Sequence, residues 1–156
     1  MSHIQTLSAR NLADLEVNHR ALLDLCLTME ELSSASAEEI EPAMCETVAE
    51  RLIPLLTAAQ QLEERALFER FASAADSTFG VRITEELKAE HRCDLHAAAD
   101  ALSALSAIKG NIAALDPSRH LLRGFAEALR RHINSERLMI ETLIASEAEG
   151  RTIFTQ

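Results

Sequence analysis

A histidine and a carboxylate lie four residues apart in an otherwise apolar helical stripe near the C-terminus. At about 100° per residue, His132 and Glu136 fall on the same helix face as Phe125, Leu129 and Leu143. Carboxylates are almost never fully buried without a compensating partner, because an unpaired charge loses its hydration in the core. Glu136 therefore requires a metal ion or a network of polar groups beside it.

Each of the three preceding amphipathic segments also carries a polar group on its apolar face. His19 lies midway along a seam of apolar residues spaced by three and four. Glu63 lies near the middle of the second apolar face, and His91 lies on the third. Glu64 falls on the flank of its helix, so Glu63 is the one of these two adjacent acids that is expected to point inward.

Three imidazoles and two carboxylates at one level of a helical core could bind one or two transition-metal ions. Imidazole suits iron, zinc, copper and nickel, and a carboxylate can bridge two ions. Each residue alone has a plainer interpretation: a single core histidine is usually structural, a lone glutamate can form an ion pair, and a His-x-x-x-Glu spacing is common by chance. Their occurrence on four different helices favours the metal site.

Four long amphipathic segments are expected to carry these groups: residues 8–32, 41–74, 84–109 and 116–148. Pro54 should kink or end the second helix, because proline disrupts a helix interior. Residues 76–80 are interpreted as a connector, and the tail after Gly150 is expected to be poorly ordered unless it docks. Long helices with short links predict an all-α, up-down-up-down four-helix bundle, with residues 1–156 forming a single domain.

Composition narrows the class of protein. Fifteen basic and 25 acidic residues give a formal net charge of −10, which argues against nucleic acid and anionic membrane surfaces as partners. No apolar run approaches the roughly 18 residues of a membrane span, and no signal peptide is evident. The three cysteines are widely spaced without a CxxC pair, which is typical of reduced thiols in a cytoplasmic protein. Cys26 is interpreted as a small core hydrophobe, and three further histidines are interpreted as surface residues: His3, His96 and His120.

The sequence resembles the hemerythrin-like, or HHE cation-binding, family from Leu12 to about Ile144. The segments that carry the resemblance are Val17–Arg20, Glu63–Phe68, Glu90–Arg92 and His132-x-x-x-Glu136. The resemblance implies a four-helix bundle with a non-haem di-iron centre. It also implies that three histidines are terminal ligands, namely His19, His91 and His132. The two bridging carboxylates would be Glu63 and Glu136.

Two positions depart from the family's pattern. Ala59 stands where the family has a histidine four residues before Glu63, and Leu95 stands where a second histidine of the third helix can occur. Gln60, off the stripe, is the nearest polar substitute for the first. Asp94 could partly replace the second or accept a hydrogen bond from an imidazole. Weaker binding, one ion instead of two, or a changed metal would follow, and reversible oxygen carriage is the family role that these departures disfavour most.

The leading hypothesis is a cytoplasmic protein that binds iron, as a mono- or dinuclear centre, and senses or handles oxygen, nitric oxide, peroxide or iron. Another divalent transition metal is the alternative to iron. The expected partners are the metal ion and a small diatomic ligand or peroxide, and a homodimer is left open. No nucleophile–base pair, phosphate loop or substrate motif indicates an enzyme. Two alternatives stay open: a metal-free bundle that acts through protein contacts, and a ferritin-like carboxylate oxidase, for which Glu16-x-x-His19 is the one matching motif.

Overall fold

The structure is a computed structural model that describes residues 7–75 and 77–150. Within these ranges the chain is helical and contains no β-strand. The predictions for His3, for Asp76 and for the tail after Gly150 fall outside the described residues. The helices are α1 (Ala9–Ser34), α2 (Pro42–Leu62), a π-helical segment (Glu63–Phe68), α3 (Glu69–Ala75), α4 (Thr78–Gly110) and α5 (Leu115–Glu149).

These helices form four rods, because α2, the π-helical segment and α3 follow one another with helical backbone angles at both junctions. Ion pairs fix the relative direction of α1 and α5. Glu16 of α1 pairs with Arg137, whereas Glu30, later in α1, pairs with the earlier residue Arg130. The two helices are therefore antiparallel. Contacts of α2 with α1 and α4, and of α4 with α5, close the ring of rods. The predicted all-α, up-down-up-down bundle is confirmed.

The turn between the second and third rods is tighter than the sequence suggested. α4 begins at Thr78 and not near Thr84, because Ser77 caps it by accepting a hydrogen bond from the backbone N–H of Gly80 at 3.2 Å. Gly80 was assigned to a connector, yet it lies inside the helix. A Cβ at this position would collide with the Cβ of Ala75. The glycine thus allows α3 and α4 to approach each other closely.

The second rod departs from α-helical geometry after Leu62, and not at Pro54. α2 continues through Pro54 to Leu62. Of the two predicted effects of Pro54, a kink or the end of the helix, the second is therefore wrong. Leu56 is buried on the inner face, and the neighbouring Leu55 is only partly buried. After Leu62 the hydrogen-bond spacing widens to the π pattern, which is frequent at functional sites.

Two apolar clusters fill the bundle, and a polar layer lies between them. His19 is located one turn from Leu15 of the smaller cluster and one turn from Leu22 of the larger one. Cys26 belongs to the larger cluster, as predicted. The side chains of His96 and His120 are exposed, which also agrees with the sequence. Among the described residues, none of the helices has the length and apolarity needed to cross a bilayer.

Candidate metal centre

The five residues singled out in the sequence meet in the polar layer. Their exposed fractions are 0% for His19, 2% for Glu63, 2% for His91, 7% for His132 and 1% for Glu136. All four rods contribute, because these side chains come from α1, the π-helical segment, α4 and α5. The predicted convergence of the five groups matches this placement, and their role as metal ligands stays a prediction.

Both carboxylates lie between imidazole rings. Oε1 of Glu63 is 2.9 Å from Nε2 of His19, and its Oε2 is 3.2 Å from Nε2 of His91. Oε2 of Glu136 is 3.3 Å from the same atom of His19. Its Oε1 is 3.2 Å from Nε2 of His91 and 3.0 Å from Nε2 of His132. Each carboxylate therefore presents one oxygen to His19 and the other to the side of the cluster that holds His91.

The donor atoms fall into two sets that share Glu136. One set contains His19 and Glu63, the other contains His91 and His132, and within each set the donor atoms lie within 4.8 Å of one another. A first-row ion with bonds of roughly 2.1 Å at right angles separates adjacent donors by about 3.0 Å. The N–O separations in this cluster range from 2.9 to 3.3 Å. The donor types and their spacing therefore fit a transition-metal ion in either set.

Without a metal ion, protons on the buried histidines supply the positive charge that balances the buried carboxylates. Burial alone lowers the pKa of His19, but hydrogen bonds to Glu136 and Glu63 outweigh burial and raise it to about 9. Burial also lowers the pKa values of His91 and His132, but contacts with neighbouring carboxylates outweigh it. They raise the pKa of His91 to about 9 and that of His132, with Asp94 as its strongest partner, to about 10. Burial acts to raise the pKa of Glu136, but hydrogen bonds from the three imidazoles hold it well below its usual range. A metal ion that binds here must therefore displace protons.

The imidazole nitrogens that face away from the cluster have unequal partners. Nδ1 of His91 lies 2.7 Å from Oε1 of Glu64. Nδ1 of His132 lies 2.9 Å from Oδ2 of Asp94, as an ion-pair contact whose atoms are not aligned for a hydrogen bond. Nδ1 of His19 is buried and has no hydrogen-bond partner among the described residues. Sequence reasoning allowed Asp94 a place beside an imidazole as one of two alternatives, but it missed Glu64, whose only signal was its place on the helix flank beside Glu63.

The two positions that depart from the family's pattern have different surroundings. Ala59 lines a cavity of about 10 Å³ beside the cluster, which is roughly the room that one water molecule needs. Leu95 is partly buried and packs against the larger apolar cluster. Gln60 is buried, contrary to the expectation that it lies off the stripe, because its Nε2 donates a 2.9 Å hydrogen bond to the backbone carbonyl of His91. Its amide nitrogen is thus engaged with α4 and not with the cluster.

Glu16 does not join the cluster. Its side chain lies on the surface, where it pairs with Arg20 and Arg137. The Glu16-x-x-His19 motif therefore does not bring two ligands together, which removes the sequence feature that favoured a ferritin-like oxidase.

Comparison with known proteins returned a family match over most of the chain. Residues 10–144 match the family model described as Hemerythrin HHE cation binding domain. The match extends over most of each of the four rods and includes all five buried polar residues of the cluster. No curated protein and no solved structure is significantly similar to the chain.

Proposed function

Because the chain belongs to the hemerythrin HHE cation-binding family, we propose that its buried cluster binds iron and that the loaded protein senses or handles oxygen, nitric oxide, peroxide or iron. The proposed ligands are the five residues of the cluster: His19, Glu63, His91, His132 and Glu136. The proposal places the protein in the cytoplasm, where its three free thiols would stay reduced.

The observation that carries the proposal is the shared orientation of the two carboxylates. Glu63 and Glu136 each direct one oxygen toward His19 and the other toward His91. A carboxylate that uses its two oxygens in this way is suited to bridge two cations. Two buried glutamates side by side would also repel each other unless positive charge lay between them, and imidazolium groups or metal ions supply that charge.

The two halves of the site are unequal, and this bears on how many ions it holds. The half near His91 has two imidazoles and one oxygen from each carboxylate, whereas the half near His19 has a single imidazole. We propose that the first half binds an ion more tightly, and that the second half fills only at higher metal concentration. Ala59 supplies no donor where the family has a histidine, so the cluster has three imidazoles in all.

Bound iron would supply a redox-active centre with open coordination positions for a small ligand. The chain's own contribution is to restrict access and to hold the ligands still. The cavity beside the cluster has a volume of only about 10 Å³, roughly the room that one water molecule needs, so an organic substrate is too large for it. The apolar cluster around Leu22 and Leu129 adjoins this cavity and limits the water that reaches it.

The decisive experiment measures metal content together with the ultraviolet and visible spectrum of freshly purified protein, before and after exposure to air, peroxide or nitric oxide. Iron that co-purifies, with a spectrum that responds to at least one of these molecules, supports the proposal. His132→Ala should remove most of the metal, whereas His120→Ala, which alters an exposed histidine of the same helix, should not. A folded protein that takes up neither iron nor another divalent metal would contradict the proposal.

One observation favours a second candidate function, that of a metal-free bundle acting through protein contacts. Each Nε2 atom of the three buried imidazoles already has a carboxylate oxygen within 3.3 Å. The protonated cluster is thus a self-consistent ion-pair network that could stabilise the fold alone. Under this alternative, added metal leaves the thermal midpoint unchanged, and His132→Ala destabilises the protein equally with and without metal.

A further inference from the structure

We propose that Glu64 is a positioning residue that orients the ring of His91 toward the metal site, a role that rests on the proposed metal-binding function. Glu64 lies next to the bridging candidate Glu63 in the sequence, but the two carboxylates serve different purposes. Glu63 has 3% of its side chain exposed and belongs to the buried cluster. Glu64 has 41% of its side chain exposed and reaches His91 from the solvent side.

The contact between Glu64 and His91 is short and specific. Oε1 of Glu64 lies 2.7 Å from Nδ1 of His91, a distance typical of a charge-assisted hydrogen bond between an imidazole N–H and a carboxylate. The opposite nitrogen, Nε2, lies 3.2 Å from an oxygen of Glu63 and from an oxygen of Glu136. The ring of His91 therefore connects Glu64 on one edge with the candidate ligands on the other.

The π-helical segment explains how two adjacent acids reach the same histidine. In a regular α-helix, consecutive residues point about 100° apart, which placed Glu64 on the flank. The segment Glu63–Phe68 has the wider i to i+5 hydrogen-bond spacing of a π-helix, which changes the direction of side chains within the turn. Both carboxylates thereby reach His91 of α4, Glu63 from inside the buried cluster and Glu64 from its solvent-exposed side.

Stacking holds the plane of the His91 ring, whereas the contacts at its two nitrogens set its orientation within that plane. The ring stacks on Phe68 with centroids 5.1 Å apart and on His132 with centroids 5.0 Å apart. Stacking resists tilting of the ring but does not select which nitrogen faces the cluster. A hydrogen bond at Nδ1 does select it, because it keeps a proton on Nδ1 and the lone pair of Nε2 directed at a cation. Such a carboxylate also makes the imidazole a stronger ligand.

The three buried histidines thus differ in the partner that contacts the ring nitrogen facing away from the cluster. His91 has an aligned carboxylate, His132 has two unaligned ones in Asp94 and Glu90, and His19 has none among the described residues. The best-supported ring belongs to the half of the site that has two imidazoles. We expect Glu64 to contribute to the affinity of that half specifically.

The experiment compares zinc and cobalt(II) affinity, measured by competition with a chelator, in the parent protein and in Glu64→Leu, Glu64→Gln and the matched control Glu69→Leu. Glu69 is an exposed acid just after the π-helical segment, so its loss controls for a general change in surface charge. Glu64→Leu should weaken binding about tenfold or more, within the range known for lost outer partners of metal-ligating histidines. Glu64→Gln should retain most of the affinity, because its amide oxygen still accepts from Nδ1.

A spectroscopic signature separates positioning from simple stabilisation. In zinc-loaded parent protein, nitrogen-15 spectra should show His91 with its proton on Nδ1, and this proton signal should be lost or exchange rapidly in Glu64→Leu. If the parent binds no metal, the proposed function fails and the positioning role fails with it. If the parent binds metal, while folded Glu64→Leu binds equally tightly and keeps the His91 proton signal, the positioning role alone is wrong.

Discussion

Nε2 of His19 lies 2.9 Å from Oε1 of Glu63, across the interface between α1 and the π-helical segment, while Nδ1 of the same ring has no hydrogen-bond partner among the described residues. His19 is therefore held through the cluster itself and not from behind. The histidines on α4 and α5 both have a carboxylate beside their outer nitrogen. Carboxylates outside the cluster thus support His91 and His132, whereas the position of His19 depends on the protons or the cation within the cluster.

The first prediction is that His19→Ala lowers the metal stoichiometry without abolishing binding. Because His19 serves one half of the site, its loss should leave the other half able to bind an ion with near-parental affinity. His132→Ala should weaken the tighter half, so that little metal is retained after dialysis. Metal analysis of both variants after equilibration with iron(II) or zinc tests this order. Equal losses in the two variants would show that the halves do not differ as argued.

A second prediction concerns the two adjacent acids. Glu63→Gln should weaken metal binding far more than Glu64→Gln. Glu63 lies inside the cluster with an oxygen near His19 and another near His91, whereas an amide at position 64 can still accept a hydrogen bond from His91. Isothermal titration with zinc gives both affinities. The reverse order would show that the assignment of the two acids is wrong.

The sequence predicted the fold and the five buried polar residues because both depend on helical periodicity. His19, His91, His132 and Glu136 lie in regular α-helices, where a period of 3.6 residues places side chains reliably. The buried position of Glu63 was predicted as well, since it is the first residue of the π-helical segment and the preceding helix fixes its direction.

What the sequence did not predict follows from departures from that period and from tertiary contacts. Glu64 lies one residue into the π-helical segment, where an α-helical wheel no longer gives the direction of a side chain. Gln60 is buried because the backbone carbonyl of His91, 31 residues away, provides a partner that no local pattern reveals. Gly80 suggested a connector, whereas its role in the helix depends on the close approach of Ala75.

A third prediction is that the metal-free protein loses stability as the pH rises, whereas the stabilisation that metal adds increases. The pKa of each buried histidine is raised in the folded state, from 6.5 to about 9 for His19. The stability that these protons contribute is complete below about pH 6.5 and is lost as the pH rises through about 9. Metal binding displaces the same protons, so the stabilisation by metal should grow as the pH rises.

Thermal unfolding with and without zinc, from about pH 6 to pH 8, measures both effects. The midpoint of the metal-free protein should fall over this range, and the difference caused by zinc should increase. His96→Gln, an exposed histidine of α4, should leave both trends unchanged. A metal-free midpoint that rises with pH would contradict the assigned protonation of the cluster.

A fourth prediction concerns the turn between the second and third rods. Gly80→Ala should destabilise the protein, because the new methyl group would collide with Ala75 and force α3 and α4 apart. Overpacking of this kind typically costs about 1–3 kcal/mol, and each kcal/mol lowers the midpoint by about 2–4 °C in a chain of this size. Gly124→Ala is the matched control, since nothing lies within 4 Å of a Cβ at this exposed helical position. Its midpoint should stay the same or rise, because alanine favours helix over glycine.

The last prediction addresses the position four residues before Glu63. Ala59→His would place an imidazole one turn from Glu63 on the same face of the second rod, at the cavity that His91 and His132 also line. An additional imidazole should raise metal occupancy or tighten binding there, and a tenfold gain requires only about 1.4 kcal/mol. Packing opposes this gain, because Ala59 is 1% exposed and the adjoining cavity measures only about 10 Å³. The metal-free variant should therefore be less stable than the parent by about 1–3 kcal/mol.

Thermal midpoints and zinc affinities of the parent and of Ala59→His separate these two effects. The variant should gain more stability from metal than the parent does, even though it starts from a lower midpoint. Leu22→Ala in the same chain would enlarge the cavity, since Leu22 also lines it, and should relieve the overpacking without removing a candidate ligand. If the double variant folds but gains no more from metal than Leu22→Ala alone, position 59 does not reach the cation.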